Sequence, residues 1–288
     1  MSAAPSLIEH FAPLAANYDV VLCDVWGVVH NGLTAFPDAC DALARFRAGG
    51  GTVLLITNAP RPASVVVRLL DKLSVPHATY DGIVSSGDVT QDVMLARRDQ
   101  QVFTIGPQRD LPTFTELGIK FAPAESADYV VCTGLFDDEN ETPEDYRPLL
   151  MRLRERNLFM VCANPDLVVE RGERLVYCAG AVADLYASLG GEVLYAGKPH
   201  RPIYQTALAK ASAARGATPA LDRVLAIGDS VRTDLAGAAG FGIDCLFVTA
   251  GIHAEELGGR ETPDAKLLGS IFAEAGSYPK AVTRRLKW

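Results

Sequence analysis

Four short apolar segments have the pattern of strands that are buried on both faces. Their hydrophobic residues are continuous and often β-branched, as in parallel strands that are covered by helices. The segments are DVVLCDV (19–25), TVLLIT (52–57), RVLAIGD (223–229) and DCLFVTA (244–250). They predict a parallel α/β sheet built from both ends of the chain.

Helical patterns connect these strands. PDACDALARFRAGG lies between the first two, with Pro37 and Asp38 at a helix start and Gly49 to Gly51 at its end. A second helical segment, 201–216, has apolar residues at helical spacing and leads to the third strand. The β-α-β pattern therefore resumes after a long insertion.

The insertion has an alternation of its own. Strand-like segments at 102–106, 127–134 and 157–163 are separated by helical ones, of which 142–156 is the clearest, with Thr142 as its N-cap. We predict an α/β protein with a Rossmann-like parallel-sheet core, residues 1–84 and 193–288, and an inserted α/β cap domain, residues 85–192.

Composition narrows the class of protein. The chain has 288 residues, of which 49% are hydrophobic and 22% charged, as in ordinary globular proteins. Its net charge of −8 argues against a nucleic-acid partner. No segment approaches the roughly 20 apolar residues of a membrane span, and no signal-peptide pattern opens the chain, so we expect no membrane partner and a cytoplasmic location.

The six cysteines form no C-x-x-C pair and lie mostly in apolar runs, which predicts buried free thiols.

Polar residues stand where these apolar runs end. Ligands of open parallel sheets bind at the carboxyl ends of the strands, so these residues are candidates for a site. They are Asp24, Thr57, Asn58, Asp229 and Asp234, together with Lys198 in GKPH. Carboxylate oxygens suit Mg²⁺, an ammonium group neutralises a phosphoryl group, and an aspartate can attack phosphorus to form an acyl-phosphate.

Each of these residues has an ordinary explanation when it is taken alone. An aspartate after a strand is usually a turn or a helix cap, as Asp229 and Asp234 would be. Thr57-Asn58 also fits a strand-to-helix turn, and Lys198 fits a solvated surface lysine. Their order along the chain, with each at or near the end of an apolar run, favours a magnesium-dependent site for phosphoryl transfer.

The same residues resemble the four motifs of the haloacid dehalogenase (HAD) superfamily over nearly the whole chain. The matching segments are D24-V-W-G-V-V-H-N-G, L-I-T57-N58, G-K198-P and G-D229-S-V-R-T-D234. The third and fourth motifs and the α/β insertion resemble class IIA, which includes sugar-phosphate, nucleotide and pyridoxal-phosphate phosphatases. The resemblance implies hydrolysis of a small phosphomonoester, and because class IIA relatives are often dimers through the cap, it is compatible with a homodimer.

The resemblance also assigns roles to residues. It implies that Asp24 is the nucleophile. It also implies that Asp24, the backbone carbonyl of Trp26 and Asp229 bind the metal, and that Thr57, Asn58 and Lys198 hold the phosphoryl group. Asp234 would support the metal-bound waters or orient Lys198. In the insertion, A-N164-P-D166 and the segment 178–184 resemble substrate-facing loops of class IIA caps, although Asn-Pro-Asp is also an ordinary turn signal.

Trp26 departs from the family pattern D-x-D-G, whose second aspartate is the general acid and base. That proton transfer is typically worth roughly 10²–10⁴-fold in rate, and an indole cannot supply it. Three interpretations of Trp26 remain open.

In the first, the substrate has a good leaving group, or another residue such as His30 carries the proton, although packing is the simpler role for His30. In the second, Trp26 forms an aromatic wall for a planar substrate or seals the closed cap. In the third, turnover is weak or absent, and the chain is a regulatory protein that binds a phosphate compound. A pure oligomeric scaffold is a further class of function.

Overall fold

The computed structural model describes residues 5–111, 114, 116–171, 174–259 and 263–288. The chain forms two compact units. The first comprises Met1–Thr57, Val66–Val84 and Tyr204–Trp288, and the second comprises Asn58–Val65 and Ser85–Ile203. The assignment of residues 1–84 and 193–288 to a catalytic core and of 85–192 to a cap stays a prediction.

The secondary structure alternates along the chain. The strands are β1 (Ser6–Leu7), β2 (Val20–Asp24), β3 (Thr52–Thr57), β4 (Gly82–Ser85), β5 (Gln101–Ile105), β6 (Lys120–Phe121), β7 (Tyr129–Cys132), β8 (Phe159–Cys162), β9 (Val168–Arg171), β10 (Arg174–Tyr177), β11 (Val193–Tyr195), β12 (Val224–Gly228), β13 (Asp244–Val248) and β14 (Ala281–Thr283). The helices are α1 (Ala12–Ala15), α2 (Pro37–Ala48), α3 (Ala63–Lys72), α4 (Ser86–Ala96), α5 (Arg147–Glu155), α6 (Ala179–Ser188), α7 (Arg201–Arg215), α8 (Ala236–Phe241) and α9 (Ala265–Ala275).

A seven-stranded sheet organises the first unit, in the order β1-β14-β13-β12-β2-β3-β4. β12 pairs in parallel with β2 on one side and with β13 on the other, and β2 pairs in parallel with β3. Every residue of β2 and β12 is buried. The four apolar segments therefore form β2, β3, β12 and β13 of one parallel sheet, which confirms the predicted fold class.

The second unit contains a five-stranded parallel sheet, in the order β11-β8-β7-β5-β6. α5 and α6 pack on it through fully buried side chains that include Leu150, Leu153 and Tyr186. β9 and β10 form a separate antiparallel pair. The insertion is thus α/β, as its alternating pattern predicts.

The predicted helix at 142–156 begins differently from the expectation. Pro143–Tyr146 form a 3₁₀ turn, and the α-helix starts only at Arg147. Pro148 has no N–H to donate to the carbonyl four residues earlier, so the preceding turn takes the tighter 3₁₀ form. Thr142 is the N-cap as predicted, and its backbone N and Oγ1 donate to Asp145 at 2.7 and 2.8 Å.

The cysteines follow the prediction from the sequence. All six are buried and none is in a disulfide, and burial raises the pKa of the Cys132 thiol to about 12. Along the described part of the chain, no helix combines the length and the apolar character that crossing a bilayer requires.

Two neighbouring leucines in α3 test how much the first unit depends on its core. Leu70 is completely buried, whereas Leu69 is 42% exposed. Because Leu70→Ala leaves a cavity, we expect it to lower the free energy of unfolding by about 2–5 kcal/mol, and Leu69→Ala by less than about 1 kcal/mol. Urea unfolding followed by circular dichroism measures both. Equal losses in the two variants would contradict the packing described here.

Candidate functional site

The carboxyl ends of β2 and β12 lie side by side. Asp24 is the last residue of β2, and Asp229 directly follows β12. The two strands are parallel neighbours, and Cys23 pairs with Ile227. Because the register aligns the strand ends, the two aspartates meet at the same edge of the sheet.

Asp234 completes a group of three carboxylates with Asp24 and Asp229. One oxygen from each lies within 4.8 Å of the others, and all three residues are buried. Asp234 belongs to a single π-helical turn, Val231–Leu235, which follows the end of β12. The structure therefore brings together three residues that the strand-end pattern selects.

Glycines allow the backbone to approach these carboxylates. A Cβ atom at Gly27 or Gly251 would lie only 2.0 or 1.9 Å from Asp229 Oδ2. A Cβ atom at Gly228 would lie 2.1 Å from Cγ of Asp234. The backbone N–H of Ile252 donates to Asp229 Oδ2 at 2.8 Å, and that of Ser230 donates to Asp234 Oδ2 at 3.2 Å.

This set of donors fits a hard divalent cation. It consists entirely of carboxylate oxygens, which is the ligand type that Mg²⁺ and Ca²⁺ prefer over soft metals. Three buried carboxylates repel one another, and a cation between them would offset that repulsion. Among the residues that the structure describes, this is the acidic group with metal-binding geometry.

Trp26 lies in the loop that follows β2, two residues after the end of the strand, and the residue is 49% exposed. Its ring packs against Gly32, where a Cβ would lie 2.4 Å from Cη2, and Gly32 has a φ of +86°. The ring also makes an edge contact with His30, with a centroid separation of 5.3 Å. The indole is therefore held against its own loop with one side open to solvent.

His30 has the features of a packing residue. It is only 1% exposed, and its Nδ1 accepts a hydrogen bond from the Gly32 backbone N–H at 2.9 Å. Burial lowers its pKa to about 4. The ring is neutral at pH 7, which supports the packing role weighed from the sequence over a role as proton carrier.

In the second unit, Asn58 holds the backbone of Lys198. Its Oδ1 accepts from Lys198 N at 2.7 Å, and its Nδ2 donates to Lys198 O at 3.0 Å. The same Nδ2 donates to Asp166 Oδ1 at 2.9 Å. Asn58 is 5% exposed and Lys198 is 2% exposed, and the Lys198–Pro199 peptide is cis.

The predicted site residues thus fall into two groups. Asp24, Trp26, Thr57, Asp229 and Asp234 belong to the first unit, with Thr57 as the last residue of β3. Asn58 and Lys198 belong to the second unit. That both groups act on one substrate stays a prediction. Sequence reasoning found Asp166 only as a weak loop signal, and it gave no sign of the hydrogen bond from Ile252.

Comparison with known proteins identifies the family. Residues 21–120 match the family model described as haloacid dehalogenase-like hydrolase, and residues 195–271 match one described as HAD-hydrolase-like. The crystal structure of a hydrolase of the haloacid dehalogenase-like family from Brucella suis 1330 is 47% identical and has a TM-score of 0.84, covering 97% of this chain and 99% of that chain. The chain belongs to the haloacid dehalogenase-like hydrolases.

Two further proteins are similar to this HAD-like hydrolase. The 5'-nucleotidase YutF of Bacillus subtilis (strain 168) is 25% identical over 242 residues, which is 83% of this chain and 90% of that protein. A possible sugar phosphatase of the HAD superfamily from Cytophaga hutchinsonii ATCC 33406 has a TM-score of 0.76 at 22% identity, covering 96% of this chain and 97% of that chain. The predicted resemblance to the HAD superfamily and the prediction of a HAD-type enzyme are confirmed.

The close approach of Gly251 to Asp229 gives a test of the carboxylate group. In Gly251→Ala the new methyl group would displace the Asp229 carboxylate, so we expect affinity for a divalent ion to fall by about 10-fold. Titration calorimetry with Mn²⁺ measures the change.

Gly240→Ala is the matched control, because a Cβ there meets nothing within 4 Å. We expect this variant to retain the affinity of the unmodified protein. A folded Gly251→Ala protein with unchanged Mn²⁺ affinity would show that the described packing around Asp229 does not support an ion site.

Proposed function

We propose that this HAD-like hydrolase is a Mg²⁺-dependent phosphatase that cleaves a small phosphomonoester through an aspartyl-phosphate on Asp24. The observation that carries the proposal is the group of three buried carboxylates, whose oxygens lie within 4.8 Å of one another at the ends of β2 and β12. The similar proteins named as a 5'-nucleotidase and as a possible sugar phosphatase support a nucleotide, a sugar phosphate or a similar ester as the substrate.

In the proposed reaction, an oxygen of Asp24 attacks phosphorus while the bond from phosphorus to the ester oxygen breaks. After it leaves, the alkoxide or aryloxide takes up a proton from solvent to become an alcohol or a phenol. Water then attacks the acyl-phosphate and gives up a proton to solvent, which releases inorganic phosphate and regenerates the Asp24 carboxylate. Each half needs positioning and charge neutralisation more than covalent help from other side chains.

The ion is proposed to bind Asp24, Asp229 and the backbone carbonyl of Trp26, with Asp234 supporting it. When bound, Mg²⁺ supplies positive charge that offsets the negative charge of the phosphoryl oxygens. The backbone N–H groups of Ile252 and Ser230 hold one oxygen each of Asp229 and Asp234, and this fixes the direction of both carboxylates.

Thr57, Asn58 and Lys198 are proposed to hold the phosphoryl group, with Lys198 as its counter-charge. The contacts of Asn58 with Lys198 support a more specific division of labour. Both groups of the Asn58 amide are bonded to the Lys198 backbone, and one also binds Asp166. Asn58 therefore fixes the start of the lysine side chain, which reduces the freedom that the ammonium loses on binding phosphate.

The absence of a general acid determines which esters we expect the enzyme to hydrolyse best. Trp26 cannot donate a proton, and His30 is buried and neutral at pH 7. We infer that esters of acidic alcohols or phenols, whose oxygen leaves without a proton, are turned over best. The half-exposed ring of Trp26 supports a planar group at this position, because an aromatic face can stack on the indole.

The absence of a proton donor at residue 26 also favours a second candidate function. Without a proton donor, the same carboxylates and Lys198 would form a site that binds a phosphate compound and turns it over slowly or not at all, as in a regulatory protein. The cap role of residues 85–192 and the cytoplasmic location, both predicted from the sequence pattern, belong to the phosphatase proposal. A homodimer, which the family resemblance suggests, belongs to it as well.

Substrate preference distinguishes the two candidates. With Mg²⁺ present, we expect hydrolysis of p-nitrophenyl phosphate, and a kcat/KM for an alkyl phosphate that is lower by roughly 10²–10⁴-fold, since only the alkyl ester needs a general acid. Release of inorganic phosphate, measured over a range of substrate concentrations, gives kcat/KM for each ester.

Asp24→Asn is expected to abolish turnover of both esters. Asp41→Asn is the matched control, because Asp41 lies on α2 with 52% of its side chain exposed and pairs with Arg45. Turnover that survives in Asp24→Asn would refute the nucleophile. Absence of turnover on both esters by a protein that still binds Mg²⁺ and phosphate would favour the regulatory role.

Trp26→Asp tests the interpretation of the missing acid directly. It introduces the second aspartate of the family pattern, so we expect kcat/KM on the alkyl phosphate to rise by about 10-fold or more while kcat/KM on the aryl phosphate changes little, because this constant reports only the steps up to departure of the leaving group. Trp26→Asn is the control of similar size that cannot transfer the proton. Equal effects of the two substitutions on both esters would show that proton transfer at residue 26 does not limit the reaction.

A further inference from the structure

The turn after β13 contacts the loop that carries two of the three carboxylates. Gly251 allows close approach to Asp229, and Ile252 donates a hydrogen bond to the same carboxylate. His253 then reaches the backbone of Val231, whose N–H donates to His253 Nε2 at 3.3 Å. Two neighbouring residues of one turn, Ile252 and His253, therefore bind the segment 229–234 at Asp229 and at Val231.

The hydrogen bonds of His253 require one tautomer. A backbone N–H can only donate, so Nε2 must be unprotonated and act as the acceptor. Nδ1 then carries the proton of the neutral ring and lies 2.8 Å from Glu256 Oε2. Glu256 thereby selects the tautomer that can bind Val231, in the way that carboxylates orient imidazoles around metal sites.

Val231 needs an acceptor because of its place in the chain. It is the first residue of the π-helical turn Val231–Leu235, and the first N–H groups of a helix have no partner within it. The preceding residue is also fixed, since Ser230 N donates to Asp234 and Ser230 Oγ accepts from Thr233 N at 3.3 Å. Holding Val231 therefore constrains the backbone between Asp229 and Asp234.

The surroundings of His253 restrict its ring. Its side chain is only 16% exposed, and the ring lies 6.3 Å from that of Phe247 on β13, centroid to centroid. Glu256, by contrast, is 68% exposed. An isolated surface pair of this kind adds little to stability. The geometry of the His253–Glu256 pair is better explained by its effect on His253 Nε2, which it holds in place to accept from Val231.

We propose that His253, oriented by Glu256, is a positioning residue that holds Asp229 and Asp234 in the arrangement that binds the divalent ion. The inference rests on the proposed function, since it assigns the ion to these carboxylates. His253 itself contacts neither the ion nor the substrate. It acts through the backbone of Val231, which connects the two aspartates.

Mn²⁺ affinity measured by calorimetry tests this role without relying on turnover. His253→Leu removes the acceptor for Val231, and we expect Mn²⁺ to bind about 10-fold more weakly. His253→Gln is expected to restore most of the affinity, because its side-chain oxygen can accept the same N–H. Turnover lost in His253→Leu should return when Mn²⁺ is raised to saturation.

His77→Leu is the matched control. His77 forms a comparable pair with Asp71, 2.8 Å apart, in the same unit, and its side chain is 73% exposed. It should leave Mn²⁺ affinity unchanged. In ¹⁵N spectra of histidine-labelled protein without metal, His253 should carry its proton on Nδ1, and Glu256→Ala should lower the population of that tautomer.

The outcomes separate this inference from the proposed function. If the unmodified protein binds no Mn²⁺ and hydrolyses no ester, the proposed function fails. If it does both, but His253→Leu binds Mn²⁺ as His77→Leu does, only the role of His253 is overturned. Equal weakening in His253→Leu and His253→Gln, or a proton found on Nε2, overturns that role as well.

Discussion

Repulsion between the buried carboxylates of Asp24, Asp229 and Asp234 constrains the edge of the sheet on which the candidate site is built. Two full charges at 4.8 Å repel by roughly 3 kcal/mol at an effective dielectric constant of about 20, and three charges form three such pairs. The parallel pairing of β2 with β12 nevertheless brings two of them together. Hydrogen bonds from Ile252 and Ser230 offset part of this cost. A divalent cation would offset this repulsion further, so ion affinity and the stability of this edge of the sheet are linked.

The fold could be predicted because its strands are continuous apolar runs that end abruptly. β2, β3, β12 and β13 all lie within their predicted segments. The rule that parallel strands present their carboxyl ends at one edge then led to Asp24 and Asp229 without any distance. The 3₁₀ turn before α5 was not predicted, although Pro148 is visible in the sequence. Thr142 and Pro143 already satisfied the pattern of a helix start, so the second proline was not weighed.

The site was harder to predict, because its second layer consists of contacts between distant segments. The motif containing Asn58 predicts contact with phosphate, but it does not show that both ends of the amide also bind the backbone of Lys198, 140 residues away. His253 and Glu256 are only three residues apart, but their partner Val231 is 22 residues earlier. No local pattern reports such a pairing. Hydrogen-bond direction, not residue type, shows what these side chains do.

Trp26 shows how a single replacement extends into its surroundings. An aspartate at this position would leave the surface of Gly32 and the edge of His30 without the ring that now covers them. Gly32 leaves room for the indole, and the buried, neutral His30 contacts it without adding charge. The loop is therefore shaped around an aromatic side chain. The loss of the proton donor and the gain of an open aromatic face are two consequences of the same packing, and together they favour leaving groups that are planar and need no proton.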